Sequence, residues 1–324
     1  MPIPDQWYAI VQTRSIKQSP IQIRRLSEDL LLWRTRDGSL HCAVDRCPHR
    51  GAQLSLGRIV DDCLECPYHG LRFDGAGQCT LIPMNGRDAK VPRAYRLRTF
   101  PVREHRGLVW MWWGEKREHY PDLPWLPGLP PGERGVADWV EEWPIHYTRY
   151  IEAYFDLAHG AFVHRTLGFG FLGARLDDAK ITEEDGLITS RAIIRHDDKP
   201  DSKGYPFSTF VRFPNLLRLD LAPGLILFSV GTPIDDEHTW IFARYYQTWI
   251  QNRLFSWLGW LISWIALWIE FRIVQPQDKR MLFNMTPKIL NLGDNILTKQ
   301  EKGLAIWMRR RHRAIAKKER ESGD

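Results

Sequence analysis

Two short cysteine–histidine groupings lie in the first third of the chain: Cys47-Pro48-His49 and, after sixteen intervening residues, Cys66-Pro67-Tyr68-His69. Each has a glycine just beyond it, Gly51 and Gly70, as a tight loop requires. A loop presenting one thiolate and one imidazole, made twice, supplies the ligands of a [2Fe-2S] cluster, with both sulfurs on one iron and both nitrogens on the other. Neutral imidazoles in place of two thiolates lower the negative charge around such a cluster, which raises its potential and couples it to protons. It takes up and hands on one electron at a time. The competing arrangement is a structural zinc knot of Cys42, Cys47, Cys63 and Cys66, because Cys63-Leu64-Glu65-Cys66 is also a C-x2-C pair. That knot leaves His49 and His69 unused, whereas the cluster uses both.

A second pattern, Asp156-Leu-Ala-His159 followed by His164, reads D-x2-H-x4-H. Two histidines and a carboxylate on one face of an iron leave positions open for oxygen. Asp156 and His159 are three apart and share a face if the segment is helical. His159 and His164 are five apart, about 140° round an ideal helix, so both reach one metal only if the helix loosens or ends between them. Gly160 offers a place for that. Alone, the spacing also fits two unrelated histidines, and it leaves the carboxylate open among Glu270, Asp278, Asp294 and others.

The chain that must position these groups has 324 residues, 44% hydrophobic and 26% charged, with 15 Trp. This excludes disordered and fibrous classes. Of the net charge of +6, the segment 309–324 carries +4, so the body is nearly balanced. A basic tail without a basic face excludes nucleic acid as the expected partner. The opening M-P-I-P-D-Q-W-Y shows no basic segment followed by an apolar run, so the cytoplasm is the expected compartment. Five cysteines, four of them between positions 42 and 66, favour metal ligation over disulfides.

Alternating short runs predict strands at 7–12, 21–25, 30–35, 40–44 and 107–113, punctuated by R-D-G at 36–38 and D-G-A-G at 74–77. A stretch with five prolines, 120–132, then interrupts regular structure. The expected division is an all-β domain over 1–118 and an α+β domain over 119–324. In the second, a strand at 138–147 and a helix at 149–163 precede β-like runs at 187–195, 207–213, 216–221, 225–230 and 238–250. Helices follow at 253–286, broken near Pro276, and at 295–318.

The motifs C-P-H-R-G at 47–51 and C-P-Y-H-G at 66–70 resemble the boxes of the Rieske non-haem iron oxygenases. The respiratory Rieske class carries a further, disulfide-forming Cys in each box, where this chain has Ala52 and Tyr68. The resemblance runs from Gln6 to about Met285. It implies an N-terminal Rieske domain with Cys47, His49, Cys66 and His69 on the [2Fe-2S] cluster, followed by a helix-grip catalytic domain. There His159, His164 and Asp278, the last in the pair Gln277-Asp278, would hold a mononuclear Fe(II). Asp156 matches the residue that in this family bridges to a cluster histidine, here His69, of the partner subunit in a head-to-tail homotrimer. Many members have Asn where this chain has Ala153.

The implied activity is that of an oxygenase component using O2 to hydroxylate or demethylate a hydrophobic ring compound, with monooxygenation favoured over dioxygenation. The layout is similar to the demethylase and pheophorbide a oxygenase-like branch. The chain shows no dinucleotide glycine fingerprint, so electrons are expected from a separate reductase or ferredoxin. The alternative is an electron carrier fused to a hydrophobic-ligand-binding domain without a working mononuclear iron site.

One feature stands outside these motifs. Residues 254–269 carry no charge, and Trp257, Trp260, Trp264 and Trp268 recur at three and four. The stripe fits burial against the sheet or in an oligomer, a lid over an apolar substrate entrance, or peripheral contact with a membrane interface. The run is shorter than the roughly 20 residues that a spanning helix needs.

Overall fold

The computed structural model describes residues 1–132, 134–165, 173–196, 198–199, 201–250, 252–291 and 293–322. The chain forms two units, Asp5–Leu123 and Pro124–Asp324 together with Met1–Pro4. Their junction falls inside the proline-rich segment, where ring-locked φ angles and missing N–H donors prevent a ladder from continuing. The first four residues join the second unit because Ile3 is fully buried in its core and the terminal amine lies 3.0 Å from Asp236.

The unit Asp5–Leu123 is all β. Its strands are β1 (Gln6–Gln12), β2 (Ile21–Arg25), β3 (Glu28–Arg34), β4 (Leu40–Val44), β5 (Arg58–Val60), β6 (Cys63–Glu65), β7 (Arg72–Phe73), β8 (Cys79–Leu81), β9 (Thr99–Phe100), β10 (Val102–His105) and β11 (Leu108–Trp113). They make three antiparallel sheets, ordered β1-β11-β10, β2-β3-β4-β9 and β5-β6-β7-β8. The predicted strands are present. The third sheet was not foreseen, because strands of two or three residues are too short to show alternation. Leu31, Trp33, Leu54, Leu64, Leu71 and Phe73 form the core beneath it.

The second unit is α+β, as expected. One antiparallel sheet of seven strands runs in the order β12-β18-β17-β16-β15-β14-β13. The strands are β12 (Ala137–Trp143), β13 (Arg175–Glu184), β14 (Leu187–Arg195), β15 (Tyr205–Arg212), β16 (Leu216–Ala222), β17 (Leu225–Pro233) and β18 (Thr239–Gln247). Edge strand β13, sequence RLDDAKITEE, was missed because its side chains are mostly solvated and charged, so it lacks an apolar face. Asp138 and Arg244 face each other across β12 and β18 and form a buried two-pronged ion pair at 2.6 and 3.0 Å.

The helices differ from expectation at two places that matter for the site. The stretch expected as one helix over 149–163 is α1 (Tyr147–Phe155) and a single turn, α2 (Gly160–Val163), with Asp156 in extended conformation between them. Later, α3 (Ser256–Ile269) continues without a break through a wide π turn, Glu270–Val274, into α4 (Gln275–Leu282). Pro276 lacks the N–H that the Arg272 carbonyl would receive, and Gln275 N–H bonds back to Glu270 O, five residues away. The proline is thereby absorbed rather than ending the helix. The chain closes with α5 (Lys302–Ser322), preceded by a reciprocal cap between Thr298 and Glu301.

Helices α1 and α5 share a core with the sheet in which Tyr147, Ile151, Phe155, Val211, Leu217 and Trp307 are prominent. Trp307 is fully buried and its Nε1 donates to Pro214 O at 2.9 Å. Replacing it by Ala should cost about 3–5 kcal/mol, read as a lowered urea midpoint with unchanged slope. An unchanged midpoint would contradict this packing.

Candidate metal centres

The two cysteine–histidine loops follow β4 and β6 and share one backbone closure. Cys47 N–H donates to Ala52 O at 2.8 Å and Gly51 N–H to Cys47 O at 2.8 Å. Correspondingly, Cys66 N–H donates to Leu71 O at 2.8 Å and Gly70 N–H to Cys66 O at 3.0 Å. Both glycines have positive φ, 74° and 68°, which explains their place at the same step of each loop. The thiols face inward, each residue 2% exposed, while His49 and His69 are half-buried with ring centroids 4.7 Å apart. Burial, reinforced by the neighbouring Cys66, pushes the Cys47 thiol up to about 11. The His69 imidazole is held below its usual value by desolvation, then by His49 and Arg50. Two buried thiols opposite two outward imidazoles fit a cluster whose irons differ in ligand type.

The zinc knot is not assembled. The Cys42 thiol donates to Met111 Sδ at 3.8 Å in a different core, and Cys63 contacts Thr80 Oγ1 at 3.7 Å. All five cysteines are free thiols.

In the second unit, His159, His164 and Asp278 place one ligand atom each within 4.8 Å of one another, a geometry able to hold a metal ion. Asp278 Oδ1 lies 3.6 Å from His159 Nε2 and 3.2 Å from His164 Nε2. The other ring nitrogens face oxygens: His159 Nδ1 is 2.7 Å from Asp156 O, and His164 Nδ1 is 3.3 Å from Gln277 Oε1. With Nδ1–H donated to those oxygens, both Nε2 lone pairs point at the space beside Asp278, the tautomer a metal ligand needs. Burial works against charge on His164, but hydrogen bonding and attraction from Asp278 leave its pKa raised.

The local sequence produces this convergence through Asp156. Its Oδ1 accepts from Ala158 N–H at 3.0 Å and His159 N–H at 3.1 Å, closing a turn that ends α1 and starts α2. Asp156 therefore does not share a helix face with His159, contrary to the helical expectation. Its carboxylate stands 43% exposed, with Oδ2 3.9 Å from His159 Nδ1. Among the other open carboxylates, Asp294 is in a surface turn, accepting from Asn291 N–H at 2.8 Å.

Glu270 lies in the π turn and reaches the same cavity. Burial, then the nearby charge of Asp278, raises its carboxyl to about 7, with Tyr245 OH donating to it at 3.3 Å. Sequence spacing gave Glu270 only as a ligand candidate, and it gave Gln277 no role beyond preceding Asp278. Only the wide turn and the fold show their places.

The His159, His164 and Asp278 group opens on a cavity of about 740 Å³ whose apolar wall includes Trp143, Leu219, Leu227, Ala266, Ile269 and Val274. Thr209 and Gln275 are among its lining residues, and their Oγ1 and Oε1 are buried without a hydrogen-bond partner among the described residues. Dry apolar walls with few polar atoms are typical of sites for small hydrophobic molecules.

Comparison with known proteins places these observations. Residues 6–101 match the family model of the Rieske [2Fe-2S] domain. The chain is 33% identical over 179 residues to the chloroplastic protein TIC 55 of Arabidopsis thaliana, which covers 54% of the chain and 32% of that relative. It is 34% identical over 167 residues to the oxygenase component of dicamba O-demethylase from Stenotrophomonas maltophilia, covering 50% of the chain and 48% of that protein. The chain thus spans a third to a half of the length of these curated relatives. Among solved structures, NdmA (QL mutant with theobromine) from Pseudomonas putida CBB5 superposes with a TM-score of 0.74 at 20% identity, covering 97% of this chain and 92% of that one. Dicamba monooxygenase bound to dicamba gives 0.71 at 21% identity, covering 100% and 99%.

Gln277→Leu removes the acceptor for His164 Nδ1 and should weaken metal binding at this group about 10–100-fold, measured by Co(II) titration of the iron-stripped site. Unchanged affinity would show that Gln277 does not orient the ring.

Proposed function

Because the chain carries a Rieske [2Fe-2S] domain and has the fold of the Rieske oxygenases, we propose that it is the oxygenase component of such a system. The Rieske domain implies a [2Fe-2S] cluster, for which we assign Cys47, His49, Cys66 and His69. We assign His159, His164 and Asp278 to a mononuclear Fe(II). When bound, the cluster supplies single electrons and the iron an open site for O2 activation. The observation that carries the reading is the convergence of three ligand atoms within 4.8 Å at the wall of an apolar cavity.

The chain's own residues prepare that chemistry. Asp156 O and Gln277 Oε1 hold the protons of the two imidazoles on Nδ1, leaving Nε2 free. The apolar walls favour the seating of a hydrophobic ring compound over water. The exposed Asp156 carboxylate, an acceptor only, meets His69 of the partner subunit in a head-to-tail homotrimer. Electrons come from a separate reductase or ferredoxin, and the three cysteines outside the cluster, Cys42, Cys63 and Cys79, remain thiols, which suits a reducing cytoplasm. The named demethylase among the relatives favours hydroxylation or demethylation by monooxygenation.

Anaerobically purified protein should contain about three irons and two acid-labile sulfides per chain. Asp278→Ala should keep two irons, two sulfides and the cluster spectrum, and lose the third iron together with oxygen-dependent turnover. Two irons in the wild type, unchanged after adding Fe(II), would leave only an electron carrier.

A further inference from the structure

The tryptophan stripe of α3 is not the packing face of that helix. Gly259, Ser263 and Leu267 are the residues buried against the sheet, and Ser263 Oγ donates to Gly135 O at 2.7 Å. Small residues there bring the helix close to its support. The solvent-facing side carries Trp257, Trp260, Trp264 and Trp268, which are 61%, 48%, 43% and 44% exposed. Leu254, Phe255 and Ile265 extend the same exposed apolar surface. Burial of the stripe within the chain, one of the arrangements open in the sequence, is thereby excluded.

We propose that this face docks the second unit flat on an anionic lipid bilayer, from which the cavity receives an apolar substrate. Three observations select a bilayer. First, the patch is bracketed by cations: exposed Arg253 lies four residues before Trp257, and exposed Arg272 four after Trp268, with no acid from 254 to 269. Arginines at both ends of an aromatic stripe complement lipid phosphates along the length of an in-plane helix. Second, tryptophan is the side chain suited to the headgroup boundary, with an apolar body and a polar N–H. Third, the helix cannot cross the membrane. The continuous segment Arg253–Leu282 is long and apolar enough by composition, yet its inner face is committed to the sheet and its later turns carry Asp278 into the cavity. It can only lie in the interface.

The same helix lines the cavity through Ala266 and Ile269, and the π turn adds Val274. A compound dissolved in the leaflet that the helix contacts is thus separated from the cavity by one helix. This delivery role rests on the proposed oxygenase reading, whereas the docking does not.

The test uses cluster-loaded protein without detergent, floated with vesicles of phosphatidylcholine alone or with about a third phosphatidylglycerol. Binding to the anionic vesicles is expected, with tryptophan fluorescence quenched by brominated phosphatidylcholine. Replacing the four tryptophans by Ser should abolish the quenching and weaken binding at least tenfold. Arg253→Gln and Arg272→Gln should each weaken anionic binding by about fivefold and leave neutral vesicles unaffected. Cluster absorption and thermal melting establish that each variant is folded, and single Trp260→Ser and Trp264→Ser variants replace the fourfold one if it is not. Wild-type protein that fails to float with either vesicle overturns the proposal. So does binding whose quenching survives the substitutions, or a stripe whose loss only dissociates an oligomer in light scattering. Iron content is measured separately, so loss of the oxygenase reading and loss of docking are distinguishable.

Discussion

A neutral imidazole offers Nε2 to a metal only in the tautomer with its proton on Nδ1, which a partner for that N–H selects, and two imidazoles five residues apart cannot converge along a long unbroken helix. The second condition is met because α2 is a single turn flanked by His159 and His164, and the first is met for His159 by the end of α1 at Phe155 and for His164 by Gln277. Asp156 leaves the helix, its carboxylate accepts the N–H groups that start α2, and its carbonyl takes the His159 Nδ1–H at 2.7 Å. The same residue therefore bends the chain, fixes a tautomer and leaves a carboxylate facing outward.

The cysteine–histidine loops solve a related problem with repeated backbone geometry. Each thiol is fixed by a bond from its own N–H across the loop and by a glycine N–H returned to its carbonyl, so the sulfurs need no side-chain support. The histidines sit one position apart in otherwise equal loops, at the second residue after Cys47 and the third after Cys66. Burial favours the protonated form of the Cys47 thiol. A metal must displace that proton, so occupancy and proton release are coupled.

Legibility in the sequence followed the range of the interactions. The two cysteine–histidine motifs and the His159–His164 pair are local, and spacing alone exposed them, but the break expected at Gly160 lies instead at Asp156, and Gly160 opens the single turn α2. Asp278 was reached through its resemblance to a family pair, since more than a hundred residues of intervening fold bring it to His164. Strand β13 was hidden by its charged edge character, and β5 to β8 by their brevity. The tryptophan periodicity was plain, but a period locates a stripe without saying which side of the helix faces inward. That required knowing that Gly259 and Ser263, the small residues, make the close approach. The π turn was read as a proline break because sequence marks the missing N–H but not how neighbouring carbonyls regroup.

The π turn at Glu270–Val274 also acts as a phase adjuster. An α-helix advances 100° per residue, so one extra residue in a single turn rotates everything downstream by about that angle relative to a regular helix. Helix α3 can therefore present tryptophans outward while α4, on nearly the same axis, turns Asp278 toward the two histidines. The orientation of the outer surface and the orientation of the metal ligand become separately adjustable within one continuous rod. Sequence drift along the aromatic face is thus free of the geometry at the cavity, provided the length of that single turn is kept.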